Sequence, residues 1–553
     1  MKKLYIFMVV ALGLLSSCYD DKGGNDFDSP MADVEMIVPE AAYSASLGGK
    51  IQIEPIVKTS IPDDDLEFIW EAKGAVMNSQ DRETFTPLTE DMSKNLDYTC
   101  RLDDNIVALN TSYTCRLHAR QKSTGRDFYS SNTFTITISG VTGLMVLYGD
   151  DSKSDIGMLM ADEFMPAANS LPEKATALSA MYSGNNGGQM LEGKGICIVH
   201  AYPSWVSSSK SANYDLVAQT TSGFAFASNS DFSLKGDWNY MFYLKGDKAI
   251  HHGKPEGFVD YDQSFVGFDD GEMFMCAPNK AYPFLFSEID ASKQIGDGNS
   301  VTLAPELLNV ATNGIQVMGF SKTVNGKGQK GFVGFSQVSP GNTLRSAKML
   351  DTKDDNVAFN PADMKASLVK MSVDNRAHVL AVLKGDVNNT RFSGKFFLAD
   401  LYPNVTAGGA SGLANVPQYL YDMSASSDID NAFAFAFGST KNMCYYATPT
   451  GVYQYGVDSG TFYPATALGM FDGSALSIDG EVTMLKMLDS PNVKTHNTEP
   501  ILMVATWKDG SSALYALHLD EATGKVKTAV KYDKTTVEGW DFGIIRDANI
   551  KAM

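Results

Sequence analysis

Two hydrophobic rhythms divide the chain. Over residues 33–140 apolar and polar side chains alternate in short runs broken by turn residues. Val34-Glu35-Met36-Ile37-Val38 opens the region, Ile51-Gln52-Ile53 follows Gly48-Gly49, and Leu66-Glu67-Phe68-Ile69-Trp70 follows Pro62-Asp63-Asp64-Asp65. Tyr113 to His118 and Phe134-Thr135-Ile136-Thr137-Ile138 come later. A period of two buries one face of a strand and wets the other. From Gly143 the runs become mostly apolar and return as strand, turn, strand. Leu144–Tyr148 precedes Ile156–Met160, Ile196–Val199 precedes Leu216–Ala218, and Met273–Cys276 precedes Phe284–Phe286. Val317–Phe320 precedes Phe332–Phe335, Val379–Val382 precedes Phe396–Ala399, Met443–Tyr446 precedes Val452–Tyr455, and Leu502–Ala505 precedes Leu514–Leu517.

These patterns predict an all-β protein of two parts. About seven strands in the first region, with one Trp on a middle strand, predict an immunoglobulin-like sandwich. In the second region, 143–553, the second strand of each hairpin begins at 156, 216, 284, 332, 396, 452 and 514. The average step is about 60 residues, and a unit of four short strands that cannot bury its faces alone is expected to stack radially as a β-propeller. Seven blades fit the length. No WD dipeptide or kelch motif accompanies the period. Acidic turns, Asp458-Ser459-Gly460 and Asp520-Glu521-Ala522-Thr523-Gly524, end two of the second strands.

The first residues follow neither rhythm. Lys2 and Lys3 precede an apolar run, Leu4 to Leu15, of about 12 residues, short of the roughly 20 that span a bilayer. Leu15-Ser16-Ser17-Cys18 matches a bacterial lipobox, so residues 1–17 are expected to be a signal peptide and Cys18 the acylated residue. Acyl chains there are expected to anchor the protein on a membrane. Residues 18–32, beginning Cys18-Tyr19-Asp20-Asp21-Lys22-Gly23-Gly24, are too polar to fold alone and form an acidic tether.

Composition narrows the partners. The formal net charge is −20, from 65 acidic against 45 basic residues, which argues against nucleic acid. The six cysteines match no zinc spacing. Tyr98-Thr99-Cys100-Arg101-Leu102 recurs as Tyr113-Thr114-Cys115-Arg116-Leu117, and a disulfide between Cys100 and Cys115 requires those strands to be neighbours.

The lipobox with its Cys-Tyr-Asp-Asp-Lys-Gly sequel, the Trp-ending strand, Tyr-Thr-Cys-Arg-Leu, Ser123-Thr124-Gly125 and Phe-Thr-Ile-Thr-Ile together resemble the PKD-like family of Bacteroidetes surface lipoproteins, most clearly over residues 15–150. The resemblance implies outer-membrane display facing the extracellular side, with Asp20 and Asp21 in the export tag. It also implies partnership with a SusC-like TonB-dependent transporter and a SusD-like lipoprotein in nutrient uptake, with a peptide or oligosaccharide ligand.

Catalytic signatures are sparse. His-Glu-x-x-His, Gly-x-Ser-x-Gly and the P-loop are absent. The seven histidines are scattered, and the adjacent His251 and His252 would point to opposite faces of a strand. No metal site or cofactor is expected. Asp150-Asp151-Ser152-Lys153-Ser154-Asp155 lacks the Gly and the final acid of a calcium loop and reads as a hairpin turn. Residues 228–271 concentrate aromatic side chains between two proposed blades. Trp238, Tyr240, Tyr243, His251, His252 and Tyr261 are the candidate ligand contacts there, because such rings combine large contact area with a polar tip. The competing role for these rings is blade core. The expected function is non-enzymatic ligand binding in an uptake system. A surface hydrolase or lyase on the propeller face, and a protein that only bridges partners, are the alternatives.

Overall fold

The computed structural model describes residues 34–47, 49–73, 85–100, 111–165, 174–201, 215–237, 255–261, 264–269, 272–276, 286–288, 301–309, 316–337, 344–350, 359–373, 378–405, 411–413, 418–440, 442–458, 460–488 and 497–551. The protein is all-β and built of many small sheets. Met181–Gly184 is the one α-helix among the described residues, and none there is long and apolar enough to cross a membrane. The chain forms two compact units. One holds the residues up to Tyr43 with Ile51–Tyr98 and Ser112–Thr137; the other holds Ser44–Lys50, Thr99–Thr111 and Ile138 onward.

In the first unit alternation governs packing. Leu66, Phe68 and Trp70 point inward from Leu66–Lys73, and Tyr113, Cys115, Leu117 and Ala119 from Ser112–Gln121. These two strands pair antiparallel, Trp70 opposite Leu117. Trp70 is fully buried, meets the Phe134 ring edge-on at 5.8 Å, and donates its Nε1–H to the Ser93 carbonyl at 3.2 Å. That bond satisfies its one polar atom, as a buried indole requires. Cys100 and Cys115 do not form the disulfide that their repeated context allowed. Both thiols are free and buried, and Leu96–Thr99, the strand leading to Cys100, pairs with Lys50–Ile53 in a sheet separate from that of Cys115. Burial pushes the thiols up, to about 11 for Cys100 and about 12 for Cys115, so both stay protonated at neutral pH.

The second unit is a succession of four-stranded antiparallel sheets over residues 195–237, 255–288, 301–349, 366–422, 434–467 and 481–532. A further sheet joins the two ends of the unit: Ile544–Lys551 pairs with Gly143–Gly149, which continues to Lys153–Met160, Thr176–Leu178 and Leu191–Glu192. Asp150 makes the hairpin turn of this sheet. Its Oδ1 accepts the backbone N–H of Ser152 at 2.6 Å and of Lys153 at 2.8 Å. First strands lie beside one another: Ile544–Lys551 beside both Gly195–Ala201 and Glu481–Met487, and Val301–Asn309 beside both Pro255–Tyr261 and Ala366–Val373.

The apolar runs are explained by burial on both faces. Val379, Ala381 and Leu383 pack into the layer shared with the sheet before, while Leu380 and Val382 pack into the layer shared with the sheet after. Leu502 and Val504 face one layer, and Ile501, Met503 and Ala505 the next. A sheet buried on both sides has no polar face to write into the sequence. Two of the seven expected hairpins are one strand out of phase. Ile196–Val199 and Leu216–Ala218 lie on the first and second strands of their sheet, and Met273–Cys276 lies on the third strand, before Phe286–Glu288. Among the described residues of the 228–271 segment lie the strands Leu234–Asp237, Pro255–Tyr261 and Ser264–Asp269.

The acidic turn at Asp520 also joins sheets. Asp520 Oδ1 accepts the Thr523 backbone N–H at 2.9 Å, and Tyr445 Oη–H donates to the Gly524 carbonyl at 2.6 Å. Gly524 sits at φ +69°, and a Cβ there would lie 2.4 Å from the Asn442 carbonyl oxygen. Gly524→Ala is therefore expected to cost about 1–2 kcal/mol, read from the urea midpoint. An unchanged midpoint would show that the turn moves freely.

Candidate functional site

The first strands carry an irregularity that regular strands lack. Each of several pairs with its second strand through a β-bulge. Ile196 is the extra residue between Gly195 and Cys197, Val369 between Leu368 and Lys370, and Thr483 between Val482 and Met484. In Ile544–Lys551 the register skips at Arg546, and in Val301–Asn309 it shifts between Leu303 and Leu307, beside Glu306. A bulge leaves its residue unpaired and re-aims the neighbouring side chains.

Charged side chains meet at these bulges. Asp547, on the closing strand, accepts from Lys486 Nζ at 2.9 and 3.0 Å and from the backbone N–H of Ile198 at 2.8 Å. Glu306 accepts from Lys370 Nζ at 2.7 Å and from the backbone N–H of Met371 at 2.8 Å. The two constellations repeat one design. An acid on one first strand ties a backbone N–H two residues beyond the bulge of the next first strand, and a lysine neutralises it. An amide freed by a bulge needs such a partner.

Cys197 stands between the bulged Ile196 and Ile198, whose N–H Asp547 ties. Burial, and then Asp547, pushes its thiol up to about 12. It is a thiol at neutral pH and no nucleophile. Lys370 is held above the usual lysine range, first by the Glu306 carboxylate, and remains an ammonium ion. The acids are the inner members of the pairs: the Asp547 and Glu306 side chains are 8% and 20% exposed, against 30% and 45% for Lys486 and Lys370. The bulged Ile196 and Val369 are 45% and 36% exposed. These pairs can hold sheets together, with one lysine balancing one carboxylate in each. Neither the Cys197 thiol nor the firmly protonated Lys370 is set up for bond chemistry.

Other polar side chains pair with one another as well. His378 Nδ1 meets Asp400 at 2.8 Å, with both residues buried. Tyr532 hydrogen-bonds Glu163, and His518 Nε2 stands 3.6 Å from the same carboxylate. Among the described residues, no group of three or more His, Cys, Asp or Glu could hold a metal ion.

Of the site residues expected from sequence, only the backbone of Tyr261 lies among the described residues. Cys18, Asp20, Asp21, Trp238, Tyr240, Tyr243, His251 and His252 lie outside the described residues. Tyr261 ends Pro255–Tyr261 and pairs with Ser264, and its side chain is outside the described residues too. Glu306, Lys370, Lys486 and Asp547 were missed. Their signal is a charge inside an apolar strand, as in Met484-Leu485-Lys486-Met487 and Leu303-Ala304-Pro305-Glu306-Leu307-Leu308.

No protein-family model matches the chain. No curated protein matches it. Among solved structures it is similar to the polysaccharide lyase Uly1, at 11% identity over 88% of this chain and 99% of that one, with a TM-score of 0.24. It is also similar to the N-terminal eight Ig domains of Down Syndrome Cell Adhesion Molecule, at 12% identity over 89% of this chain and 58% of that one, with a TM-score of 0.13. Likenesses this distant bear on neither fold nor activity.

Proposed function

We propose that the chain is a lipid-anchored outer-membrane surface protein that binds ligand as an accessory to a SusC/SusD-like uptake system. In this reading an immunoglobulin/PKD-like sandwich follows the tether, and a seven-bladed propeller follows the sandwich. The observation that carries the anchor is Leu15-Ser16-Ser17-Cys18 behind a short apolar run. The propeller reading is supported by four-stranded sheets stacked on both faces and by a C-terminal strand that completes the sheet begun at Gly143. Binding is favoured over catalysis because the polar cluster of the first strands is spent on salt bridges and backbone N–H groups, with its thiol protonated.

Cys18→Ala is expected to abolish incorporation of a palmitate analogue and to leave the protein unprocessed or free of the membrane. Equal labelling of the variant would remove the anchor from the reading. Outer-membrane pull-down from mild detergent is expected to recover a TonB-dependent transporter and a SusD-like lipoprotein with the wild-type chain. Recovery of the chain alone would count against the accessory role.

A further inference from the structure

We propose that a pocket in the second unit, lined by the strand Thr176–Leu178, the helix Met181–Gly184 that follows it, and the segments at Leu47 and Cys100, takes an uncharged aliphatic side chain of a peptide with its adjoining backbone groups. This deepens the ligand-binding part of the function proposed above and rests on it.

The pocket holds about 410 Å3, within the roughly 300–1,000 Å3 of small-molecule sites. Every residue lining it belongs to the second unit. Its lining is fixed from behind. Leu47 donates its N–H to the Ser139 carbonyl and Cys100 donates to that of Gly49, both at 2.8 Å. The short helix is held by Asp155, a buried carboxylate that accepts the Ser183 hydroxyl at 2.5 Å and the Ser183 N–H at 3.1 Å. Ala180, just before the helix, sits at φ +53°, in the left-handed region that alanine seldom enters. The Tyr148 hydroxyl holds it there by accepting the Ala180 N–H at 2.8 Å. A lining held this way is formed before a ligand arrives, so little ordering cost falls on binding.

The chemistry of the lining then chooses the ligand. Leu47, Cys100 and Met181 are 1%, 1% and 4% exposed and supply an apolar surface. Thr99, Ser179 and Asn185 add polar side chains without charge. Burial pushes the Cys100 thiol up to about 11, so it too is neutral at pH 7. An ion entering here would lose water and meet no opposite charge. Asn185 Nδ2 donates to the Met181 carbonyl at 2.7 Å, which leaves Oδ1 as an acceptor. That oxygen and the two hydroxyls, which both give and take protons, suit the alternating N–H and C=O groups of a peptide. The lining has no aromatic ring for a pyranose to stack on, and its polar side chains are few for a sugar's many hydroxyls. An aliphatic side chain such as leucine gains most from being covered there.

Gly184 gives a way to close the pocket. It lines the space, and a Cβ there would meet no atom within 4 Å. Leucine at this position enters open space and replaces a helical glycine, which favours the helix.

The test uses the full-length mature protein in lipid nanodiscs, free of detergent. Isothermal titration compares acetyl-glycyl-leucyl-glycinamide with its glycyl and aspartyl analogues. The leucyl peptide is expected to bind at least about tenfold more tightly than either analogue. Salt is expected to leave its affinity unchanged, since neither partner is charged. Gly184→Leu is expected to weaken the leucyl peptide at least about tenfold, with a thermal transition no lower than wild type. Gly328→Leu is the control, in the turn between Gln316–Val324 and Phe332–Gln337, where a Cβ likewise meets nothing within 4 Å, and is expected to bind as wild type does. No binding of the leucyl peptide at millimolar concentration, equal affinity for the three peptides, or undiminished binding by Gly184→Leu would each overturn the proposal. An equal loss in Gly328→Leu would do the same. Binding of maltotriose in place of the peptide, lost in Gly184→Leu, would give the pocket to a sugar and overturn the proposal as well. Acylation and transporter recovery are measured on the wild-type chain without these peptides, so a failure here is distinguishable from a failure of the function it rests on.

Discussion

Asp547→Ala is expected to lower the stability of the second unit by about 3 kcal/mol, the scale of breaking a buried ion pair by removing one member. The loss has two parts. Lys486, 30% exposed, is left without its carboxylate, and the Ile198 N–H loses its acceptor at 2.8 Å. Partial exposure of Lys486 keeps the estimate at the lower end of that range. Asp547→Asn retains an acceptor for Ile198 and is expected to cost less. Combining Asp547→Leu with Lys486→Met is expected to recover much of the loss, because neither charge is then stranded. Urea denaturation measures the midpoints, and hydrogen exchange at Ile198 reports the freed amide. An Asp547→Ala midpoint equal to wild type, with Ile198 still protected, would show that the tie contributes nothing.

Lys551→Met is expected to stabilise the protein at pH 7 and to remove a rise in stability at alkaline pH. Lys551 is 2% exposed, and its ammonium donates to the Val141 carbonyl. Burial lowers its pKa from 10.5 to about 8. Below about 8 both the folded and the unfolded states hold the proton, and the folded state bears the full cost of the buried cation, on the order of 3 kcal/mol. As pH rises from about 8 towards 10.5 the folded state releases the proton while the unfolded state keeps it. Stability from this group therefore increases with pH across that window. Methionine keeps the length and loses the charge. Allowing about 1 kcal/mol for the lost hydrogen bond, a gain of about 2 kcal/mol remains at pH 7. Denaturation midpoints at pH 7, 8, 9 and 10 test both parts. A variant no more stable at pH 7, with the same slope as wild type, would show that Lys551 reaches water.

Several elements were legible in the sequence for local reasons. The alternation of Leu66, Phe68 and Trp70 against polar neighbours places one face inward, whatever the partner strand turns out to be. Apolar runs such as Ile501–Ala505 announce strands buried on both sides, and Asp150 with Ser152 announces a turn, because an Asp side chain can accept from the backbone two residues on. Phase was harder to read. Ile196–Val199 is as apolar as a second strand, so nothing local said that it was the first of its sheet. Whether Cys100 pairs with Cys115 stayed open in the sequence for the same reason: identical flanking residues say nothing about which strands are neighbours.

The sequence by itself determined strand content, the apolar period, the sparse catalytic signatures and the lipobox pattern at Cys18, because each is written within a few consecutive residues. Tertiary structure alone decided which charges meet. Asp547 lies 61 residues from Lys486 and 349 from Ile198, and Glu306 lies 64 from Lys370. No local propensity specifies contacts at such separations. They exist because the last strand closes the sheet opened at Gly143 and because bulges free backbone N–H groups that only a side chain from the neighbouring sheet can satisfy.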